Sequence, residues 1–199
     1  MRIGIFGGTF DPPHLGHLIA AQDAHAALAL DRLVFVPAAR PPHKRDRMLT
    51  DGATRLRLVE AALQDDDRFE ADDLELRRDG PSYTVDTLRA FHTRHPGAEL
   101  ILLVGADQFQ ELHSWHEAAE VRRLAVIGVL EREGAAVDGT QGGAEDGRVR
   151  HVPVTRIDVS STDIRRRIDG RQPIRYLVPA AVERLILDLG LYGRNSGEE

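Results

Sequence analysis

Apolar positions in this chain fall into short continuous runs separated by stretches of helical spacing, and that alternation predicts most of its elements. RIGIF, residues 2 to 6, is a β-rich apolar run that reads as a buried strand, and it passes through Gly7 and Gly8 into a Pro-rich turn. From Gly16 to about Leu28 the chain is rich in Ala and Leu, which predicts a helix, and RLVFVP at 32 to 37 reads as a second buried strand. Leu56, Val59 and Leu63 have helical spacing after a polar start at Asp51. Phe69 to Leu76 is a weaker strand candidate, and Val85, Leu88 and Phe91 mark a helix that begins near Ser82 and stops before Pro96 and Gly97. ELILLVGAD, residues 99 to 107, is the strongest strand signal, a continuous apolar run ending at Gly105; LAVIGVL at 124 to 130 is of the same kind. RVRHVPV supplies one more strand, SSTDIRRRI a short capped helix ending at Gly170, and Val182, Leu185, Ile186 and Leu189 an amphipathic helix with Pro179 at its first turn.

Strands alternating with helices imply an α/β chain, a parallel sheet with helices on both faces joined by right-handed crossovers. Ligands of such sheets lie beyond the C-terminal ends of the strands, at the switch point of the topology. Four loops should converge there, at residues 7 to 17, 37 to 47, 105 to 115 and 159 to 165.

Composition narrows the class. With 199 residues, 42% hydrophobic and 29% charged, the chain suits one domain over 1–199 with one substantial core. GAAVDGTQGGAEDG at 134–147 has almost no apolar content and reads as a mobile loop, and 193–199 as a flexible tail. No apolar run approaches the roughly 18 to 20 residues of a membrane helix, and the start lacks the parts of a signal peptide, so a cytoplasmic protein without a membrane partner is expected. Zero cysteines exclude disulfides, thiolate metal sites and a cysteine nucleophile together. The formal charge is 26 − 32 = −6 with dispersed basic residues, which argues against a nucleic-acid partner. The sequence leaves association into a homo-oligomer open. Of 26 basic residues 25 are arginine, and the lone lysine is Lys44.

The densest chemistry lies in GGTFDPPHLGH, residues 7 to 17. It is neither a G-x-G-x-x-G fingerprint nor a P-loop. Gly7 and Gly8 lack a Cβ and let the backbone approach a ligand, as phosphates require. His14 and His17 sit around the start of the predicted helix, where open amides and the dipole favour anions, and two imidazoles there could donate to phosphate; a capped turn with two exposed histidines is the plainer alternative. In SSTDIR either Ser160 or Ser161 is the N-cap, leaving amides, Thr162 and Arg165 available to an anion, or forming an ordinary surface helix.

GGTFDPPHLGH resembles the G-x-F-D-P-x-H-x-G-H signature of the nucleotidylyltransferase superfamily. PAARPPHK, PSYTVDTL, VGADQFQELHSW, SSTDIR and YLVP follow in the order found in the bacterial nicotinate-nucleotide adenylyltransferase family, over roughly Met1 to Leu191. The resemblance implies a Rossmann-like, doubly wound sheet of nucleotidylyltransferase type and a reaction in which the phosphate of nicotinate mononucleotide attacks the α-phosphorus of ATP. It implies ATP contacts from Gly7, Gly8, Thr9, Phe10, His14, His17, Gly105, Asp107, Ser161, Thr162 and Arg165. His14, His17, Lys44 and Arg165 would act in catalysis, with Mg²⁺ carried mainly by the ATP phosphates and no dedicated protein metal site. Lys44 would hold the mononucleotide phosphate, and Thr84 and Trp115 would form the nicotinate pocket, with His116 where that family often has another ring. Pantetheine-phosphate adenylyltransferase and glycerol-3-phosphate cytidylyltransferase share the first motif; the first usually has threonine at the place of His14, and neither normally combines PSYTVDTL with G-A-D and a downstream Trp. A nucleotide-binding regulator that kept the fold without the chemistry would have no need of His14, His17, Lys44 and Arg165 together.

Overall fold

The computed structural model describes residues 1–39, 49–132 and 147–193. Strands β1 (Arg2–Gly8), β2 (Arg32–Pro37), β3 (Phe69–Ala71), β4 (Glu99–Gly105), β5 (Val126–Arg132) and β6 (Val149–Val154) form one sheet in the order β3-β2-β1-β4-β5-β6, every pairing parallel. Helices α1 (Leu15–Ala27), α2 (Gly52–Leu63), α3 (Thr84–Arg94), α4 (Ala106–Gln110), α5 (Ala118–Leu124), α6 (Ser161–Asp169) and α7 (Ala180–Asp188) complete the described elements, with a 3₁₀ turn at Leu112–Ser114.

Successive strand side chains point to opposite faces, so each continuous apolar run fills two cores at once. Phe6, Leu33, Phe35, Ile101 and Leu103 face Ala21 and Ala24 of α1 and Val59 of α2. Their neighbours Ile5, Val34, Val36, Leu102 and Val104 face Val85, Leu88 and Phe91 of α3 and Val121 of α5. Each large side chain fully buried this way contributes about 1.5–3 kcal/mol. A third cluster joins Leu58 of α2 to Ile164 of α6 and to Val182 and Ile186 of α7, fixing the last two helices against the second.

The α/β expectation holds, and several boundaries agree closely: β2 is RLVFVP, Asp51 caps α2 by accepting from the Thr54 amide at 3.0 Å, and Gly170 follows α6. Two expectations need correction. The strand anticipated from Phe69 to Leu76 ends at Ala71, because the Asp72 carboxylate accepts from the Leu74 amide at 2.8 Å and turns the chain. The anticipated loop after Gly105 is instead mostly helical, through α4 and the 3₁₀ turn, and α5 follows it without having been foreseen. The loop expected at 134–147 lies outside the described residues except for Gly147, as does the tail except for Gly193.

β1 is flanked by β2 on one side and β4 on the other, so the chain leaves these two central strands in opposite directions and opens a crevice beyond their carboxyl ends.

Candidate active site

A cavity of about 710 Å³ occupies that crevice. Its floor is the end of β1, where Gly7 and Gly8 turn the chain out of the sheet. A Cβ on Gly7 would meet nothing within 4 Å, so the space above it is open to a ligand. Gly8 is glycine for another reason: a Cβ there would lie 2.6 Å from the tip of the Phe10 ring, which folds back over the turn. Phe10 takes a left-handed φ of 49° to do so. Its buried ring lies edge-on to Phe6 and His17 at 5.8 and 5.1 Å, forming an aromatic base under the cavity.

His14 is the N-cap of α1 and His17 lies in its first turn, both lining the cavity. The two rings stack at 3.7 Å with 27° between their planes. The backbone N–H of His14 donates to His17 Nδ1 at 3.2 Å, which makes Nδ1 the acceptor and leaves the ring proton of neutral His17 on Nε2. The ring proton is thereby kept on the nitrogen that does not meet the His14 backbone, while among the first amides of α1 that of Leu15 donates to the Leu177 carbonyl at 3.0 Å and that of His17 to the His14 carbonyl at 2.9 Å.

The motif backbone is held from below by side chains of distant segments. Arg55 Nη1 donates to the Thr9 carbonyl at 2.8 Å, Arg165 Nη1 to the Asp11 carbonyl, and Ser161 Oγ to the Pro12 carbonyl at 2.8 Å. Arg55 is 1% exposed, and its Nε donates to the Thr50 carbonyl at 2.8 Å. Burial lowers its pKa while the nearby Asp11 carboxylate pulls it back up. Asp11 is itself buried and accepts from the Tyr192 hydroxyl at 2.8 Å. Burial, followed by the Asp11 charge, pushes the Tyr192 phenol far above its ordinary value, so it serves as a donor.

The opposite end of the cavity is an aromatic and hydroxyl-rich wall. Trp115, at the end of the 3₁₀ turn, is half-buried and lines it together with Thr84 at the start of α3. His116 stacks on Tyr83 with ring centroids 4.2 Å apart, which answers the question of where that imidazole goes. Glu117 follows in a left-handed conformation, φ 50°, fixed by a two-pronged hydrogen bond from Arg89 at 3.1 and 2.6 Å. Glu75 lines the same end; it is buried and accepts from Thr87 Oγ1 at 2.6 Å. Burial raises its pKa, partly countered by hydrogen bonds from Thr87 and Ser82.

Of the residues anticipated from sequence, Gly7, Gly8, Thr9, Phe10, His14, His17, Thr84, Gly105 and Trp115 line this one cavity. Ser161, Thr162, Arg165 and Asp107 are outside its lining. Ser160, not Ser161, caps α6, its hydroxyl accepting from the Asp163 amide at 3.1 Å, and Ser160 reaches the cavity. Arg165 is turned toward the motif, with its Nη2 donating to Thr162 Oγ1 at 3.1 Å. Asp107 is exposed on the first turn of α4. Lys44 lies outside the described residues. Sequence reasoning missed Asp11, Arg55, Glu75 and Tyr192. Arg55 and Glu75 carried no motif signal, and only the polar interruption of an otherwise apolar helical or strand pattern could have marked them.

Residues 5–167 match the cytidylyltransferase-like family. The chain is 43% identical over 195 residues to a protein of Shouchella clausii named probable nicotinate-nucleotide adenylyltransferase, covering 98% of each chain. It is 44% identical over 196 residues to one of the same name from Thermomicrobium roseum, covering 96% of this chain and 91% of the relative. Among solved structures, the Plasmodium falciparum nicotinic acid mononucleotide adenylyltransferase complexed with NaAD superposes with a TM-score of 0.76 at 18% identity, covering 96% of this chain and 97% of that one.

Proposed function

From the premise that the chain belongs to the cytidylyltransferase-like family, among the nicotinate-nucleotide adenylyltransferases, we propose that it transfers the adenylyl group of ATP to nicotinate mononucleotide, giving nicotinate adenine dinucleotide and pyrophosphate in NAD biosynthesis. The observation that carries this reading is the near full-length relationship to proteins of that name, joined to a cavity with two imidazoles at one end and an indole at the other.

In the reaction an oxygen of the mononucleotide phosphate forms a bond to the α-phosphorus of ATP, and the bond from that phosphorus to the β-phosphoryl oxygen breaks. The nucleophile is already an anion, so no general base is needed, and positioning with charge stabilisation is the enzyme's task. His17 Nε2–H and His14 donate to the triphosphate at the start of α1, beside the turn that Gly7 keeps clear. Arg165 and Lys44 add positive charge. Ser161, Thr162, Gly105 and Asp107 complete the nucleotide's surroundings. Ser161 and Arg165 also brace the motif backbone through the Pro12 and Asp11 carbonyls.

Trp115 stacks on the pyridine ring. Tyr83, the N-cap of α3, gives no side-chain cap; the Asp86 amide turns back onto the Tyr83 carbonyl at 3.2 Å, and the Thr84 and Val85 amides before it are left to a ligand carboxylate. Mg²⁺ enters as part of the nucleotide substrate, bound through its phosphates and several waters. Among the described residues no helix is long and apolar enough to cross a membrane. The enzyme acts in the cytoplasm in this reading, on small molecules rather than nucleic acid.

A pyrophosphate-release assay with Mg²⁺ and ATP across nicotinate mononucleotide, nicotinamide mononucleotide, phosphopantetheine and glycerol 3-phosphate tests the reading. Turnover greatest with nicotinate mononucleotide is expected; preference for a non-pyridine acceptor would overturn it.

A further inference from the structure

Glu75 is a buried acid that lines the acceptor end of the cavity and has no part in the chemistry above. Its partners are informative. Thr87, one turn into α3, donates its hydroxyl to Oε1 at 2.6 Å. Ser82, just before the helix, helps hold the Glu75 pKa down against burial, and its hydroxyl oxygen accepts from the Ala39 amide at 2.9 Å. Between these two attachments lie Tyr83, whose ring supports His116 and whose carbonyl accepts from Arg78 at 3.4 Å, and Thr84, which faces the cavity.

A helix start is ordinarily fixed by a side chain that bonds its first amides. In α3 that solution is not used. A Ser or Asp at position 83 would hold the turn but would also occupy the donors that a ligand carboxylate needs. Glu75 fixes the same turn from outside, through the Thr87 hydroxyl after it with Ser82 on its near side, and leaves the Thr84 and Val85 amides to a ligand. A site that distinguishes a carboxylate from a carboxamide depends on those amides being rigid, since water satisfies either group once the turn frays.

Resting on the proposed substrate, we infer that Glu75 is a positioning residue that clamps the first turn of α3 and thereby sets the preference for a pyridine carboxylate over the neutral carboxamide. Glu75→Ala should raise the KM for nicotinate mononucleotide about 10-fold or more and lower the acid-over-amide ratio of kcat/KM at least about 5-fold, while the KM for ATP stays within about 2-fold. Glu75→Gln keeps an acceptor oxygen and should return both values to within about 3-fold of the unaltered enzyme. Thr87→Val removes one hydroxyl at nearly constant shape and should move the ratio in the same direction as Glu75→Ala, which keeps the inference testable if the alanine variant fails to fold.

An unchanged acid-over-amide ratio in folded Glu75→Ala or Thr87→Val protein would overturn the inference. So would a Gln variant as impaired as the Ala variant, because charge rather than the hydrogen bonds would then be responsible. If the unaltered protein turns over neither mononucleotide, the substrate reading itself fails, an outcome distinct from an unmoved ratio.

Discussion

Replacing Arg55 with methionine should cost the protein much of its stability, and the size of the loss follows from what the guanidinium touches. It is 1% exposed and donates to the carbonyls of Thr9 and Thr50, each at 2.8 Å. Hydrogen bonds from a charged donor contribute about 1.5–3 kcal/mol each, so the two together bound the effect at about 3–6 kcal/mol. Asp11 keeps Arg165 Nη1 at 4.0 Å and the Tyr192 hydroxyl at 2.8 Å, so losing the Arg55 charge weakens its surroundings without stranding it, and the two carbonyl hydrogen bonds set the scale. About 3–5 kcal/mol is expected. Against a total of about 5–15 kcal/mol that is a large fraction, equivalent to a fall in Tm of roughly 6–20 °C at this chain length. Urea unfolding at neutral pH of the unaltered protein, Arg55→Met, Asp11→Asn and the double variant measures it. Since the Asp11 charge acts on the Arg55 guanidinium, the double variant should lose at least about 1 kcal/mol less than the sum of the singles. A loss below about 1 kcal/mol in Arg55→Met, or strictly additive singles, would refute the reasoning.

Three further outcomes are expected. His17→Ala should lower kcat by about 10²-fold or more with a much smaller change in the KM for ATP, and near-normal turnover in the folded variant would remove His17 from the transition state. Trp115, the sole indole, should be quenched saturably by nicotinate mononucleotide, and by nicotinamide mononucleotide only at roughly 5- to 150-fold higher concentration; equal titration curves would contradict the pocket. The Glu75 carboxyl, raised by burial against the pull of Ser82, Thr87, Arg78 and Arg55, holds its proton more tightly folded than unfolded. Its contribution to stability is therefore full below the ordinary value of 4.5 and is lost as pH rises through the higher folded value. Glu75→Gln cannot ionise and should gain on the unaltered protein across that rise; a stability difference that stays flat between about pH 4 and pH 8 would count against the burial argument.

The central strands were legible because both of their faces are buried: from Leu100 to Val104 no polar position confuses the pattern. α5 was not legible, since it is seven residues long and begins from the left-handed Glu117, a start without an ordinary capping signal. The cavity was legible where one local segment carries the chemistry, as with Gly7, His14 and His17, or with Trp115. The supporting layer was not. Glu75 meets Thr87 twelve residues on, Arg55 meets Thr9 across 46, and Tyr192 meets Asp11 across 181. Such pairs leave no periodicity in the chain, because each partner sits in a pattern dominated by its own helix or turn. The reading of Gly8 left out a structural reason for glycine: its missing Cβ makes room for the Phe10 ring.

The Tyr192 to Asp11 bond also bears on when the site can exist. The motif is synthesised ahead of the rest of the site, and the phenol that holds its buried carboxylate is added 181 residues later. At about 5–20 residues per second, that interval is roughly 10–35 s. Throughout it Asp11 lacks one of its donors, and Arg165, which braces the Asp11 carbonyl, is absent for most of the same time. A nascent chain therefore carries the recognisable signature long before it carries a finished nucleotide site, and ribosome-bound fragments ending before residue 192 should bind ATP poorly however well their first strands have paired.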